Sequence, residues 1–224
     1  MQQLATRLSQ IKVFDKLPQA VCQTLMEQAR CSQLQPDEFL FHQGDVWPYV
    51  VFVASGELRW TLLSVSSREH ILFMVRPDES FWAHSFFDDQ PMPASLRATK
   101  QTDVYVWSRE SIQPVLFNYP EAMWQITKIQ VDTMRRAREV IYGLAFQPVA
   151  ARLANLLLNS FYEQGGTAVE RDLTLSDIAA IVASSPEVVC RLLHQFQAEG
   201  ILEVTRAHIT LHDRDALTQM VEAA

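Results

Sequence analysis

The sequence has little glycine, little cysteine and no long hydrophobic run. Only six Gly and three Cys occur in 224 residues, which argues against collagen-like and low-complexity chains and against a disulfide framework. Cys22, Cys31 and Cys190 form no CxxC pair. No apolar stretch approaches the roughly 20 residues of a membrane span, and the first ten residues lack the apolar centre of a signal peptide. The sequence therefore predicts a cytoplasmic protein with no membrane partner.

Sequence motifs typical of enzymes are also missing. The chain contains no GxGxxG, no P-loop, no GxSxG and no HExxH, which are the patterns that support nucleotide binding, acyl transfer and metal-dependent hydrolysis. His42, His70 and His84 form no evident cluster with carboxylates. We therefore predict neither an enzyme nor a metal-ligand cluster.

Hydrophobic residues, at 48% of the chain, are numerous enough for packed cores, and their period changes along the sequence. Residues 34–107 alternate in short runs separated by turn signals such as Ser55-Gly56, which predicts an antiparallel β-roll. A short helix is expected before it, from Pro18 to Ala29. The predicted strands are Glu38 to His42, Tyr49 to Ala54, Glu57 to Leu63, His70 to Val75 and Val104 to Trp107.

A helical period replaces the alternation after Pro120. Apolar residues then recur every three or four positions in a narrow stripe, here called the seam, with one polar residue, Gln130, as a register position. We interpret this stretch of about 25 residues as a dimerisation helix, and the alternative is a helix packed on its own domain. Pro148 ends it. The seam comprises Met123, Ile126, Gln130, Met134, Ala137, Ile141 and Leu144. The predicted domains are 1–119, 120–146 and 147–224.

The C-terminal segment predicts two short helices followed by two strands. Ser176 is the predicted cap of the first helix, at the end of a short strand, and Ala183-Ser184 forms the turn. Ser185 caps the second helix, which opens with Pro186 and runs to Glu199. Strands at 201–205 and 208–211 follow. This order is that of a winged helix-turn-helix.

The exposed face of the second helix carries the predicted DNA contacts. Glu187 can accept a hydrogen bond from cytosine N4, and Arg191 can donate two to guanine O6 and N7, from positions one helical turn apart. The alternative is an ordinary salt bridge between these two residues on the surface. The predicted DNA-binding residues are Thr174, Ser176, Ser185, Glu187, Val188, Cys190, Arg191, His194 and Arg206.

Charge opposes this interpretation. Residues 147–224 contain five Arg, no Lys and ten acidic residues, whereas contacts to phosphate supply much of the affinity for DNA. Local groups, Arg171 and Arg206 among them, would have to supply these contacts, and dimerisation would double them. The alternative is a ligand-sensing β-roll protein whose winged domain binds a protein partner instead of DNA.

The chain resembles the CRP/FNR family of bacterial transcription regulators. The resemblance rests on the helix-turn-helix at 173–193, with its Glu-x-x-x-Arg pair at Glu187 and Arg191, and on the Gly-containing loops of the roll at 41–45 and 54–58. It implies an α+β fold with a cyclic-nucleotide-binding-type roll, a homodimer, double-stranded DNA as ligand and RNA polymerase as partner. Pro186 stands where many cyclic-AMP-binding members have Arg, so one contact with guanine should be lost. The resemblance therefore implies a preference for DNA half-sites of the type TTGAT over those of the type TGTGA.

The effector region departs from the cyclic-AMP-binding members. Their Gly-Glu and Arg-Ser positions hold Ala83-His84 and Met92-Pro93 here, and neither Met92 nor Pro93 can donate hydrogen bonds to a phosphate from its side chain. We therefore expect an effector other than cyclic AMP. Two cysteines in this half are too few for a four-Cys iron–sulfur cluster.

Haem, with nitric oxide as the signal, is the leading effector hypothesis, because the resemblance extends to members that respond to nitrogen oxides and lack the same phosphate-binding residues. His42, His70, His84 and Met92 are the candidate axial ligands. Oxidation of Cys190 on the DNA-facing side is a further possibility. The predicted effector pocket comprises Trp82, Ala83, His84, Ser85, Met92, Pro93 and Ala94.

Overall fold

The computed structural model describes residues 11, 13–15, 17–65, 68–164 and 166–223. The chain divides into two compact units, 1–136 and 137–224, so their boundary lies inside the long helix and not at one of its ends. The helices are α1 Gln19–Gln28, α2 Ser85–Asp88, α3 Arg109–Asn118, α4 Pro120–Phe146, α5 Val149–Gln164, α6 Leu175–Ile181, α7 Pro186–Ala198 and α8 Arg214–Glu222. The strands are β1 Arg30–Leu34, β2 Phe39–Phe41, β3 Tyr49–Ser55, β4 Leu58–Leu63, β5 Glu69–Val75, β6 Ser80–Trp82, β7 Ser95–Ala98, β8 Thr102–Ser108, β9 Ala168–Glu170, β10 Leu202–Val204 and β11 His208–Leu211.

The N-terminal unit contains the predicted antiparallel roll. One four-stranded sheet has the order β1-β8-β3-β6 and the other has the order β2-β7-β4-β5. All five predicted strands are confirmed, with small shifts at their ends. Strands β1, β6 and β7 were not predicted. β1 is an edge strand with one buried residue, Leu34, so it lacks the apolar alternation by which strands are recognised.

Two apolar clusters fill the N-terminal unit. The first lies between the sheets and includes Trp60, Phe81 and Met92. The second joins the helices to the outside of the roll and includes Phe14 and Trp107. The indole Nε1 of Trp107 donates a hydrogen bond of 2.6 Å to the carbonyl of Leu25 in α1. The short helix before the roll is therefore fixed to the sheet by both apolar packing and a buried hydrogen bond.

The long helix α4 has the predicted bounds, but its apolar residues have two different destinations. In its first half, Ile126 is buried against the roll, and Met123 packs partly buried beside it. In its second half, Met134 is 72% and Ile141 is 66% exposed. The predicted seam therefore has two parts, because its first residues pack within the chain and its later residues are exposed.

The C-terminal unit is built around one apolar cluster that includes Phe161, Phe196 and Leu217. Its three-stranded antiparallel sheet has the order β10-β11-β9. The predicted pair of helices and the two-stranded wing are confirmed, as is the α+β class. The short strand predicted to end at Ser176 instead ends at Glu170 as β9, because Thr174 caps α6 and Ser176 lies within it. The final helix, α8, was not predicted. Among the described residues, no helix combines the length and apolar character that crossing a bilayer requires.

Candidate nucleic-acid interface and ligand cavity

The first helix of the helix-turn-helix, α6, begins with a reciprocal cap. The hydroxyl of Thr174 accepts a hydrogen bond from the backbone N–H of Asp177, 3.1 Å away, and the Asp177 carboxylate accepts one of 3.0 Å from the N–H of Thr174. The prediction that Ser176 caps this helix is wrong, because Ser176 already lies within α6. Thr174 is the cap because its spacing of three residues from Asp177 satisfies two unpaired N–H groups at once.

The turn between α6 and α7 is tight. Ala183 adopts a left-handed conformation with φ of 50°, and the N–H of Ser184 donates to the carbonyl of Ala179 at 2.9 Å. Ser185 then caps α7 by accepting a hydrogen bond from the N–H of Val188, and Pro186 occupies the first helical position. Both features of this start confirm the prediction from the sequence.

Helix α7 presents one apolar and one polar face. Val189, Leu193 and Phe196 are buried in the core of the unit and Leu192 is half-buried beside them, at the spacing that places apolar residues on one face of a helix. The opposite face exposes Glu187, Arg191 and His194 and leaves Val188 and Cys190 half-buried. The predicted DNA-facing residues of this helix therefore share one accessible surface.

Glu187 and Arg191 are both available to an external partner. Within the part of the chain that the structure describes, no ion pair joins them, so the interpretation as a surface salt bridge gains no support. A hydrogen bond from the Ser185 hydroxyl and one from the backbone N–H lower the pKa of Glu187. The carboxylate is therefore ionised at neutral pH and acts as a hydrogen-bond acceptor.

The wing turn is stabilised by the side chain of Thr205 at its start and by Arg171 from the preceding segment. The Thr205 hydroxyl accepts from the N–H of His208 at 2.9 Å, and Arg206 projects into solvent at the tip. Arg171 donates from its backbone N–H to the carbonyl of Ala207 at 2.8 Å and from Nη1 to the carbonyl of Thr205 at 3.2 Å. These contacts bring two guanidinium groups to the wing. Arg171 was not among the predicted DNA-binding residues, although its charge made it a candidate phosphate contact.

A cavity of about 400 Å³ lies in the N-terminal unit, beside β5, β6 and the first half of α4. Its walls include aromatic rings from the two strands, the imidazole of His84 just after β6, and charged or polar groups from the strand turn and the helix: Phe73, Phe81, Trp82, Asp78, Glu79, Gln130, Asp132 and Arg136. Only Trp82 and His84 of the predicted effector pocket line this cavity.

The structure places the remaining residues of the predicted pocket elsewhere. Ala83, Met92 and Ala94 are buried in the core between the sheets. Ser85 is also buried, and its hydroxyl donates to the carbonyl of Gln90 at 2.5 Å. Pro93 is exposed. Their nearness in sequence therefore does not produce one common surface, because this segment alternates between the core and solvent.

His84 is the candidate axial ligand that lies at the cavity. Its imidazole stacks on the indole of Trp60, with ring centroids 5.9 Å apart and ring planes 3° apart. Burial lowers the pKa of His84, an effect that the charge of Asp88 partly offsets. The ring is therefore neutral at neutral pH, which is the form that binds a metal.

The other candidate axial ligands lie away from the cavity. His42 stacks on Phe39 at 4.2 Å. Met92 is 1% exposed, within the core. His70 lies in β5, opposite Leu62, and does not line the cavity. Across the described residues, no group of three or more His, Cys, Asp or Glu side chains is arranged to hold a metal ion.

Comparison with known proteins agrees with both units. Residues 31–119 match the model of the cyclic nucleotide-binding domain, and residues 151–220 match that of the Crp-like helix-turn-helix domain. The chain is 25% identical over 201 residues to the CRP-like cAMP-activated global transcriptional regulator of Mycobacterium tuberculosis, covering 85% of this chain and 90% of that protein. It is 26% identical over 185 residues to the transcriptional activator protein Anr of Pseudomonas protegens, covering 80% and 75%. In structure it is similar to a mutant of CooA from Carboxydothermus hydrogenoformans, with a TM-score of 0.77, 22% identity and coverage of 88% and 89%.

Proposed function

Because the chain belongs to the CRP/FNR family of DNA-binding transcription regulators, we propose that it acts in the cytoplasm as a homodimer controlled by an effector other than cyclic AMP. The observation that carries this proposal is the accessible pair Glu187 and Arg191 on the first turns of α7. RNA polymerase is the proposed protein partner at the promoter.

The N-terminal end of α7 has the chemistry that base recognition in the major groove requires. An ionised carboxylate accepts a hydrogen bond from cytosine N4, and a guanidinium one helical turn later donates hydrogen bonds to guanine. The pair can therefore recognise two bases of a DNA sequence. The positive end of the α7 helix dipole and the two guanidinium groups at the wing attract phosphates. Each phosphate contact releases counterions from the DNA, so we expect affinity to fall as the salt concentration rises.

The test compares Glu187→Ala and Arg191→Ala with the parent chain, using DNA selected from a random pool. Each variant should lose about 1–3 kcal/mol of discrimination at its own base pair, while binding to unrelated DNA changes little. Arg214→Ala is the matched control, because it also removes one exposed guanidinium from this unit, at the start of α8. Selected sequences with TTGAT half-sites support the proposal, whereas failure of the parent chain to enrich any sequence contradicts it.

The second half of α4 supports the proposed dimerisation. Met134, Ala137, Ile141 and Leu144 keep the spacing of three and four residues that lets two helices interlock, and all four are exposed in a single chain. Val131 is exposed as well. A dimer would cover these apolar residues and would present two α7 helices to successive turns of DNA.

The effector proposal rests on what the β-roll offers to a ligand. Met92 is buried and Pro93 has no N–H to donate, so neither can hold a phosphate at these positions. The cavity combines aromatic walls and the imidazole of His84 with charged groups such as Asp132 and Arg136, so it suits a planar ligand that also carries polar groups. If haem is that ligand, His84 is the residue that would hold its iron.

Two measurements on the purified protein test the effector proposal. Titration with cyclic AMP should leave specific DNA binding unchanged, and an increase in affinity would contradict the proposal. After incubation with haem, a Soret band that His84→Ala abolishes and His70→Ala retains would identify haem. Absence of the band from the parent chain would remove haem as the effector.

A further inference from the structure

One guanidinium in the C-terminal unit contacts the ends of two helices. Arg152 lies in the first turn of α5. Its Nη1 donates to the carbonyl of Gln147 at 2.6 Å and to that of Gly143 at 3.3 Å, in and just after the last turn of α4. Its Nε donates to the carbonyl of Val182 at 2.9 Å, and its Nη2 to that of Ala183 at 3.4 Å. The second pair of carbonyls belongs to the turn that leads into α7.

The position of this charge is unfavourable within its own helix. A cation near a helix N-terminus opposes the helix dipole, and acidic residues are preferred there. Burial also lowers the pKa of Arg152. Among the residues that the structure describes, no carboxylate forms an ion pair with it. The carbonyl oxygens at the C-terminal ends of α4 and α6 carry the compensating partial negative charge.

Position 143, beside the stem of Arg152, is a glycine. Gly143 is buried, and a Cβ built there would lie 3.5 Å from Cδ of Arg152 and 3.3 Å from Oε1 of Gln147. The contact with Arg152 is an ordinary van der Waals contact and the one with Gln147 involves the end of a flexible side chain, so alanine fits here and only a longer side chain would crowd the arginine.

We propose that Arg152 is a positioning residue that fixes the direction of the DNA-reading helix α7 relative to the last turns of α4. A planar guanidinium donates in several directions from one rigid group, so it can hold both helix ends at a defined separation. Lysine carries the same charge on a single nitrogen and cannot bond both ends in the same way. The inference concerns geometry inside this unit, so it does not depend on the effector or on DNA binding.

The test measures one distance within the full chain. Glu139→Cys in α4 and Ala198→Cys in α7 are both exposed positions for spin labels, in a chain carrying Cys22→Ala, Cys31→Ser and Cys190→Ser. Dilution with unlabelled protein isolates the distance within one chain. We expect a single narrow distance in the Arg152 protein and loss of that narrow peak in Arg152→Gln and in Arg152→Lys.

Arg214→Gln is the matched control, because it removes an exposed guanidinium of the same unit and should keep the narrow peak. Thermal unfolding followed by circular dichroism establishes that each variant is folded. If Arg152→Gln does not fold, Arg152→Lys decides the question. A narrow peak at the parent distance in Arg152→Lys would overturn the proposal, because charge alone would then suffice. A failure of the protein to bind DNA, by contrast, would not change the distance expected between the two labels.

Discussion

Truncation of Ile141 should weaken dimerisation without unfolding the chain. Ile141 is 66% exposed in a single chain and lies seven residues after Met134, which is 72% exposed. Positions seven residues apart return to the same face of a helix in a two-stranded coiled coil, so each meets its counterpart in the partner. Ile141→Ala removes most of this contact from both chains at once.

The expected magnitude follows from the area that remains to be buried. Complete burial of an isoleucine side chain stabilises a structure by about 1.5–3 kcal/mol. Roughly two-thirds of that gain remains available at Ile141, which gives about 1–2 kcal/mol for each chain and about 2–4 kcal/mol for the dimer. The dissociation constant of the dimer should therefore rise by roughly 30-fold to 1,000-fold.

Sedimentation equilibrium over a range of protein concentrations measures this constant. Ile126→Ala is the contrasting variant, because Ile126 is 1% exposed and packs on its own roll. It should lower the free energy of unfolding by about 2–5 kcal/mol and leave the association of the folded chain close to that of the parent. An Ile141→Ala protein that dimerises as tightly as the parent would refute the assignment of this face, and a parent chain that stays monomeric would refute the dimer.

Three further predictions concern the stability of the individual units. Gly56→Ala should cost about 2–5 kcal/mol in the free energy of unfolding, because Gly56 has φ of 83° and a Cβ there would overlap Oγ1 of Thr102. Gly44→Ala should cost only about 1–2 kcal/mol in the same urea titration, because its φ of 95° is strained but no atom lies within 4 Å; equal losses would contradict the clash. Thr174→Ala should lower the stability of the C-terminal unit by about 1 kcal/mol through loss of the cap, and Thr174→Ser should restore most of it. Burial lowers the pKa of His84 from 6.5, so the unfolded chain binds the proton first and stability should fall as pH drops below 6.5; His84→Gln should remove that part of the decrease, and an identical pH profile in the variant would exclude His84 as its source.

Local patterns in the sequence were sufficient to predict most of the secondary structure. Alternation in the roll, the helical period after Pro120 and the capping residue Ser185 each depend on neighbours within a few positions, which is the range over which backbone propensity acts. The two faces of α7 followed for the same reason. The exposed pair Glu187 and Arg191 could therefore be predicted from the spacing of residues within one helix.

The effector cavity and the division of the seam depended on the tertiary structure. Met92 and Pro93 are adjacent in sequence but lie in the core and in solvent, whereas Gln130 and Arg136 reach the cavity from a helix that no local pattern connects to β5 or β6. The apolar spacing of α4 likewise cannot tell which residues the roll covers. Ile126 is buried among residues of its own roll, whereas Ile141 is exposed in a single chain. The spacing of apolar residues shows that one face of a helix is apolar. Only the packing of the folded chain shows which residues of that face are covered within the chain and which remain exposed.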